Sequence, residues 1–309
     1  MGNARVKLSN FWPDGYPGHT DSYGRDLGKA FLRSLFEKNS NSRNTNIVSH
    51  FPKVTSFSIL ADSKKKISAL LNRDQLTTSR KLHGHTIHDY EIDKKELNVW
   101  YTSENLRPPL GEQFDLFLSH DLDGYDGRNI YLPIWATRLG VNVHESSELQ
   151  TTLAFRRNTT LKSKSGICAV ISNPEPIRMA FLNELQRYFK VDIYGAFGLP
   201  LTDKAKVLSR YKINICFEND EYPGYVTEKP FEAWSNECVP VWRGLDSGAY
   251  INDEAIVNVT NLGFQESIKR IESILKSDDE YLRISGLPIL RKEYDFNKLE
   301  TKVNQLFYS

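Results

Sequence analysis

The second half of the chain alternates short, β-branched apolar runs with stretches of helical period. ICAVIS (167–172), VDIYG (191–195), YKINICFEN (211–219), VPVW (239–242) and AIVNV (255–259) predict strands, the third with apolar side chains at Tyr211, Ile213, Ile215 and Phe217. Helices are predicted from about Pro176 to Phe189, from Thr202 to Ser209, and over about 264–276. Another is predicted from an N-cap at Thr227 through Glu228, Lys229, Phe231, Ala233 and Trp234. Strands alternating with helices build a parallel sheet with right-handed crossovers.

The first half repeats the theme less regularly. VKLSNF (6–11), NIVSHF (46–51), LNVWYTS (97–103) and FDLFLS (114–119) predict strands, with a helix over about 24–37. Few apolar residues fall between Asn72 and Lys95, which predicts a large loop or insertion. RRNTTLKSKSG (156–166) has no periodicity and reads as a linker. The expected architecture is therefore two α/β domains with parallel sheets facing a central cleft. The first covers residues 1–156 and the second 157–309, with the last helix able to pack back on the first domain. In such sheets ligands bind beyond the carboxyl ends of the strands, and the chemistry is sought there.

A length of 309 residues agrees with two domains at about 150 residues each. Hydrophobic residues at 39% can fill two cores. Forty basic against 39 acidic residues leave a net charge of +1, which argues against a nucleic-acid partner. Any anionic ligand must then be met by a few local cations. The aromatic share of 12% would suit a sugar-binding cleft. Cys168, Cys216 and Cys238 are odd in number and lack CxxC spacing, so no disulfide framework is expected and a reducing compartment fits. There is no apolar leader and no membrane-spanning apolar run, and Val6 breaks the myristoylation pattern despite Gly2. These features predict a cytoplasmic location, peripheral to an inner membrane at most, with the sequons at Asn158 and Asn258 unused.

The densest chemistry lies in FENDEYPGYVTEKPFEAW (217–234), where a strand end leads into a helix start. Helix starts present free N–H groups and a partial positive charge, which suits phosphate. Lys229 in the first turn opposes that dipole, a conflict that a bound anion would resolve. Glu228 can accept hydrogen bonds from sugar hydroxyls and Tyr225 can donate one. An ordinary capped helix with a surface salt bridge would use the same residues. SNPEPIRMAF (172–181) again runs from strand to helix and places Arg178 in the first turns. Two cations can neutralise a pyrophosphate without metal, the arginine through planar bidentate contacts, although a helix arginine can also simply be solvated. In WYTSENLRPP (100–109) Glu104 follows a strand directly and could act as a general base at a cleft, or be a solvated glutamate beside a turn.

Weaker patterns accompany these. His83, His85 and His88 resemble a metal cluster inside the polar insertion but lack a fourth ligand. Asp121 and Asp123 read as an acidic turn before Gly124, and Lys64–Lys66 as a solvated face. Trp12, Trp100, Trp135 and Tyr131 could pack on a sugar or fill a core. No GxGxxG, GxxxxGK[ST], HExxH or GxSxG is present, which removes the dinucleotide, P-loop, zincin and serine-hydrolase readings.

Taken together, YKINICFENDEYPGYVTEKPFEAWSNECVPVWRG (211–244), YTSEN (101–105), FDLFLSHDL (114–122) and the SNP…R run (172–178) resemble the α-1,3/4-fucosyltransferases of glycosyltransferase family ten, especially their bacterial soluble branch. The resemblance extends over about residues 97–276. It implies the two-domain GT-B architecture, with an N-terminal acceptor domain and a C-terminal Rossmann-like domain for GDP-fucose. It also implies inversion at the transferred carbon and no metal or other cofactor. The donor-binding residues would be Arg178, Tyr225, Glu228 and Lys229, with Asn219 and Asn173 lining the nucleotide site and Glu104 as the base. The implied acceptor is an oligosaccharide with a galactose–N-acetylglucosamine unit, fucosylated at O-3 or, alternatively, at O-4. Another GDP-sugar transferase of the same fold is a further alternative. Pro230 after the Glu–Lys pair and Trp242–Arg243 before Gly244 depart from the family pattern. The added charge of Arg243 near the donor loop would suit an acidic acceptor.

Overall fold

The computed structural model describes residues 6–9, 11, 26–37, 44–49, 92, 95–109, 114–161 and 164–308. The histidines of the polar insertion, Lys64–Lys66 and Trp12 lie outside them.

Two five-stranded, wholly parallel sheets organise the chain. The first comprises β1 (Val6–Ser9), β2 (Thr45–Val48), β3 (Leu97–Tyr101), β4 (Leu116–Ser119) and β5 (Asn129–Tyr131), paired in chain order. The second comprises β6 (Ile167–Ile171), β7 (Val191–Gly195), β8 (Ile213–Ile215), β9 (Val239–Trp242) and β10 (Val257–Asn258), in the order β10-β9-β8-β6-β7. Helix α1 (Leu27–Glu37) packs on β1, and α2 (Val143–Ala154) packs against α1. Helices α3 (Pro176–Leu185), α4 (Lys204–Leu208), α5 (Lys229–Ser235), α6 (Val259–Lys276) and α7 (Asp278–Ser285) belong to the second sheet, and α8 (Phe296–Tyr308) comes last. This is the doubled parallel-sheet α/β arrangement of GT-B type.

Strands that are buried on both faces read as continuous apolar runs. VPVW accordingly forms the fully buried β9 at its predicted bounds, and VDIYG forms β7, a half-buried edge strand, at its own. YKINICFEN supplies only the short β8, although backbone bonds continue beyond it, from Cys216 N–H to the Val241 carbonyl at 2.9 Å and from Glu218 N–H to the Arg243 carbonyl at 3.0 Å. The predicted strand over 255–259 shortens to β10, and Val259 already starts α6, in which Gly263 (φ 71°) marks a kink. Asn258 caps α6 through Asn261 N–H and is 7% exposed, so that sequon faces inward. Trp100 and Trp135 are each 1% exposed and fill the core rather than a sugar platform. All three cysteines are buried and unbonded to one another.

One apolar core runs through both halves. Trp135 stacks on Phe231 at 4.9 Å and meets Tyr250 at 5.6 Å, while Phe296 at the start of α8 reaches Tyr294 at 5.0 Å and Phe31 of α1 at 5.9 Å. Gln150 of α2 exchanges two hydrogen bonds with the Tyr294 backbone, so the end of the chain is fastened to the first half.

The carboxyl edges of the two sheets meet at Gly224. Its φ is +85°, and a Cβ there would lie 2.4 Å from the His120 carbonyl oxygen just beyond β4. Only glycine permits that approach. Gly224→Ala is expected to lose about 1–3 kcal/mol from the backbone conformation alone, with the clash added. A urea midpoint unchanged from that of the parent protein would refute this.

Candidate active site

In the second sheet β6 and β8 are neighbours, yet the chain visits β7 between them, so their carboxyl ends flank a topological switch point. Loops leaving adjacent strands in opposite directions open a crevice there. Arg178, 5% exposed in the first turn of α3, spans it. It donates to the Asn173 carbonyl at 2.7 Å, the Phe217 carbonyl at 2.7 Å and Asn219 Oδ1 at 2.9 Å. Three of its five N–H donors are thus used by protein, leaving Nε–H and one Nη1–H for a ligand. Burial pulls its pKa down, against the pull of Glu175 and Glu218, and a guanidinium remains charged regardless. Arg178, Asn173 and Asn219 are therefore brought together, with Arg178 turned inward rather than along the surface.

The helix start at 227–229 differs in detail from the sequence reading. Glu228, not Thr227, occupies the N-cap position of α5 and makes no side-chain cap bond. Pro230 fits within the first turn, where its missing N–H is not needed. Lys229 needs no bound anion to offset the dipole, since its Nζ donates to Glu218 Oε2 at 3.1 Å and Thr227 Oγ1 at 2.9 Å. Glu218 was missed by sequence reasoning because a carboxylate at a strand end reads as solvated. It is 1% exposed and also accepts from Thr227 N–H (2.9 Å), Thr227 Oγ1–H (2.7 Å) and Trp242 Nε1–H (3.2 Å).

Charge accumulates around this point. Burial alone would raise the Glu228 carboxyl, but Lys229, Arg138 and Lys204 override it and hold the group well below the ordinary range. Glu228 is thus an anion ready to accept hydrogen bonds. Lys229 is raised because Glu218 and Glu228 outweigh the cost of burial. Tyr225 is 1% exposed, and burial together with Glu104, Glu218 and Glu228 pushes its phenol far up, so it stays a neutral donor.

Glu104 arrives from the other sheet, three residues beyond β3. Its backbone is set by a Thr102 turn, with Glu104 N–H on Thr102 Oγ1 at 3.0 Å and Leu106 N–H on the Glu104 carbonyl at 2.7 Å. Its carboxylate has no hydrogen-bond partner among the described residues. Burial raises its pKa, Lys229 and Arg138 pull it down, and Glu228 and Glu218 push it up. These interactions place Glu104 in the same charge cluster as Lys229, Glu228 and Tyr225. All seven predicted site residues thus gather where the two carboxyl edges face each other.

Asp121 forms the expected acidic turn through Asp123 N–H (3.2 Å), yet it is 4% exposed and also accepts from Tyr125 Oη–H (2.5 Å) and Tyr222 Oη–H (3.3 Å). Arg243 adds no free charge near the donor loop, because Nη2 donates to Glu221 at 2.5 Å. Among the described residues no helix is long and apolar enough to cross a membrane.

Residues 160–300 match the family described as glycosyltransferase family 10 (fucosyltransferase), C-terminal. An alpha-(1,3)-fucosyltransferase of Helicobacter pylori is 29% identical over 217 residues, covering 60% of this chain and 45% of that protein. A human 3-galactosyl-N-acetylglucosaminide 4-alpha-L-fucosyltransferase is 32% identical over 135 residues, 40% of this chain and 37% of its relative. The matched region spans less than half the length of both relatives. A crystal structure of an alpha1,3-fucosyltransferase superposes on 99% of this chain and 88% of its own with a TM-score of 0.62 and 21% identity, a likeness of fold. The family match falls on the half that holds Arg178 and Lys229, so over residues 160–300 the chain is similar to the C-terminal part of glycosyltransferase family 10.

Proposed function

We propose that the protein is an inverting α-1,3-fucosyltransferase that moves L-fucose from GDP-fucose to a hydroxyl of an N-acetyllactosamine-type glycan. The observation that carries this reading is that Glu104, from the first half, interacts with Lys229 and Glu228 of the second, and Lys229 in turn with Arg178. In the proposed reaction Glu104 takes the proton of the acceptor hydroxyl as its oxygen attacks the anomeric carbon of fucose. The bond from that carbon to the β-phosphate oxygen breaks on the opposite face, and GDP leaves. Arg178 and Lys229 offset the charge growing on the pyrophosphate, a stabilisation that strengthens toward the transition state. Asn173 and Asn219 line the nucleotide, Tyr225 donates a hydrogen bond to the donor, and Glu228 accepts from its hydroxyls. The reading calls for no metal or other cofactor. The part before residue 157 would hold the acceptor and the part after it the donor.

Transfer to O-4 is the second reading, favoured by the human relative whose name specifies a 4-alpha linkage. GDP release from GDP-fucose, measured with and without N-acetyllactosamine, tests the proposal. Acceptor-stimulated release is expected, and the linkage of the product separates O-3 from O-4. Release that the acceptor leaves unchanged would point to another acceptor, and no release with any acceptor would overturn the reading.

A further inference from the structure

The loop carrying Glu104 is fastened to the facing loop of the second half by a small polar cluster. Arg107, two residues past Asn105, sends Nη1 to His120 Nε2 at 2.8 Å and Nη2–H to Asn105 Oδ1 at 2.9 Å. Its guanidinium carbon lies 2.9 Å from the centroid of the Tyr222 ring, and Nε stands 3.8 Å from Asp121 Oδ2. Asn105 passes the link on, its Nδ2–H donating to Asp220 Oδ2 at 2.8 Å. Tyr222 closes the circuit on Asp121 Oδ1 at 3.3 Å. Because arginine only donates, Nε2 of His120 must accept, which requires a neutral ring; burial and the adjacent Arg107 together hold the imidazole pKa down at about 3. The cluster therefore keeps one hydrogen-bonding pattern across the working pH range.

Asn105 directly follows Glu104, and Asp220 and Tyr222 sit between Asn219 and Tyr225. We propose that Arg107, acting through Asn105 and Tyr222, is a positioning residue that clasps the Glu104 loop to the donor loop and so sets where the base stands relative to the transferred sugar. This rests on the fucosyltransferase reading for its kinetic consequence, but not for the clasp itself. A planar guanidinium is required: it stacks on a ring while donating in two in-plane directions, and a lysine ammonium cannot do both. A displacement of about 1 Å in a catalytic group can cost up to about a hundredfold in rate.

The test compares wild type with Arg107→Ala, Arg107→Lys and the near-isosteric Asn105→Leu, which removes both Asn105 bonds at a largely exposed pair. The first readout is amide hydrogen exchange over residues 102–107 and 219–225, where all three variants are expected to exchange faster while the strands do not. The second is transfer, where kcat is expected to fall about tenfold or more with the KM for GDP-fucose within about twofold. The third is the acidic limb of the rate profile. Glu104 is surrounded by Glu228, Glu218, Tyr225, Lys229 and Arg138, and burial is the largest influence on it. A base loop that swings into water should carry that limb down toward the ordinary 4.5. Unchanged exchange in both loops would overturn the clasp whether or not the protein turns over. Faster exchange with unchanged kcat and limb would overturn the positioning role. Absence of turnover in the wild type would overturn the fucosyltransferase reading and this kinetic role together, with the exchange data still deciding the clasp.

Discussion

Glu104→Gln is expected to lower fucosyl transfer by about 10²–10⁴-fold, the usual contribution of a positioned general base, while GDP and GDP-fucose bind nearly as before. The amide keeps the volume and the Thr102 turn, so the loss isolates the proton-accepting role. In the wild type, activity should fall as the pH drops through a value above the ordinary 4.5, because burial raises the Glu104 pKa and only the ionised form accepts a proton. The same shift has a stability consequence. The folded chain binds this proton more tightly than the unfolded chain, so ionising Glu104 costs stability as the pH rises through that window. Glu104→Gln should therefore melt no lower than wild type at neutral pH. Isothermal calorimetry with GDP, a thermal melt and a rate–pH profile check all three points. Near-normal transfer by Glu104→Gln would remove Glu104 from the base role.

Glu218→Ala should cost more in stability than any other single change in the site. Four donors converge on a carboxylate whose side chain is 0% exposed, from Thr227 N–H, Thr227 Oγ1, Lys229 Nζ and Trp242 Nε1. Removing it strands a buried indole N–H and leaves the partly exposed Lys229 with Thr227 Oγ1 as its remaining partner, for which about 3 kcal/mol is expected. It also frees Lys229 from its fixed direction, so GDP-fucose affinity should fall together with stability. Glu218→Gln keeps the shape but turns an amide NH₂ toward a donor, and its loss should lie in between. Denaturant unfolding alongside GDP titration would check this, and a loss below about 1 kcal/mol for Glu218→Ala would contradict it.

How far the sequence revealed the site depends on which physics fixed each part. Parallel strands buried on both faces announce themselves as apolar runs, so the neighbourhood of Glu104, Arg178 and Lys229 could be located from strand ends alone. What could not be seen is how these groups are partnered. Glu218 is buried by the switch-point loops, an outcome of tertiary packing that no local period records. Asp121 and Arg107 find their partners across more than a hundred residues, on Tyr222. Among the elements, α2 escaped because its buried face is Val143, Ser146, Gln150 and Leu153, two of them polar. β8 itself ends at Ile215, while the alternation that predicts a longer strand persists as backbone bonds from Cys216 to Val241 and from Glu218 to Arg243.

The attachment of α8 bears on the order in which the protein can form during synthesis. Phe296 and Phe307 complete the packing of Phe31 and Phe36, residues made about 270 positions earlier. Until α8 emerges, α1 carries an uncovered aromatic face, and contacts of such sequence separation form slowly. All strands of the second sheet are made by Asn258, ahead of α8, so that sheet can pair while α1 still waits for its cover.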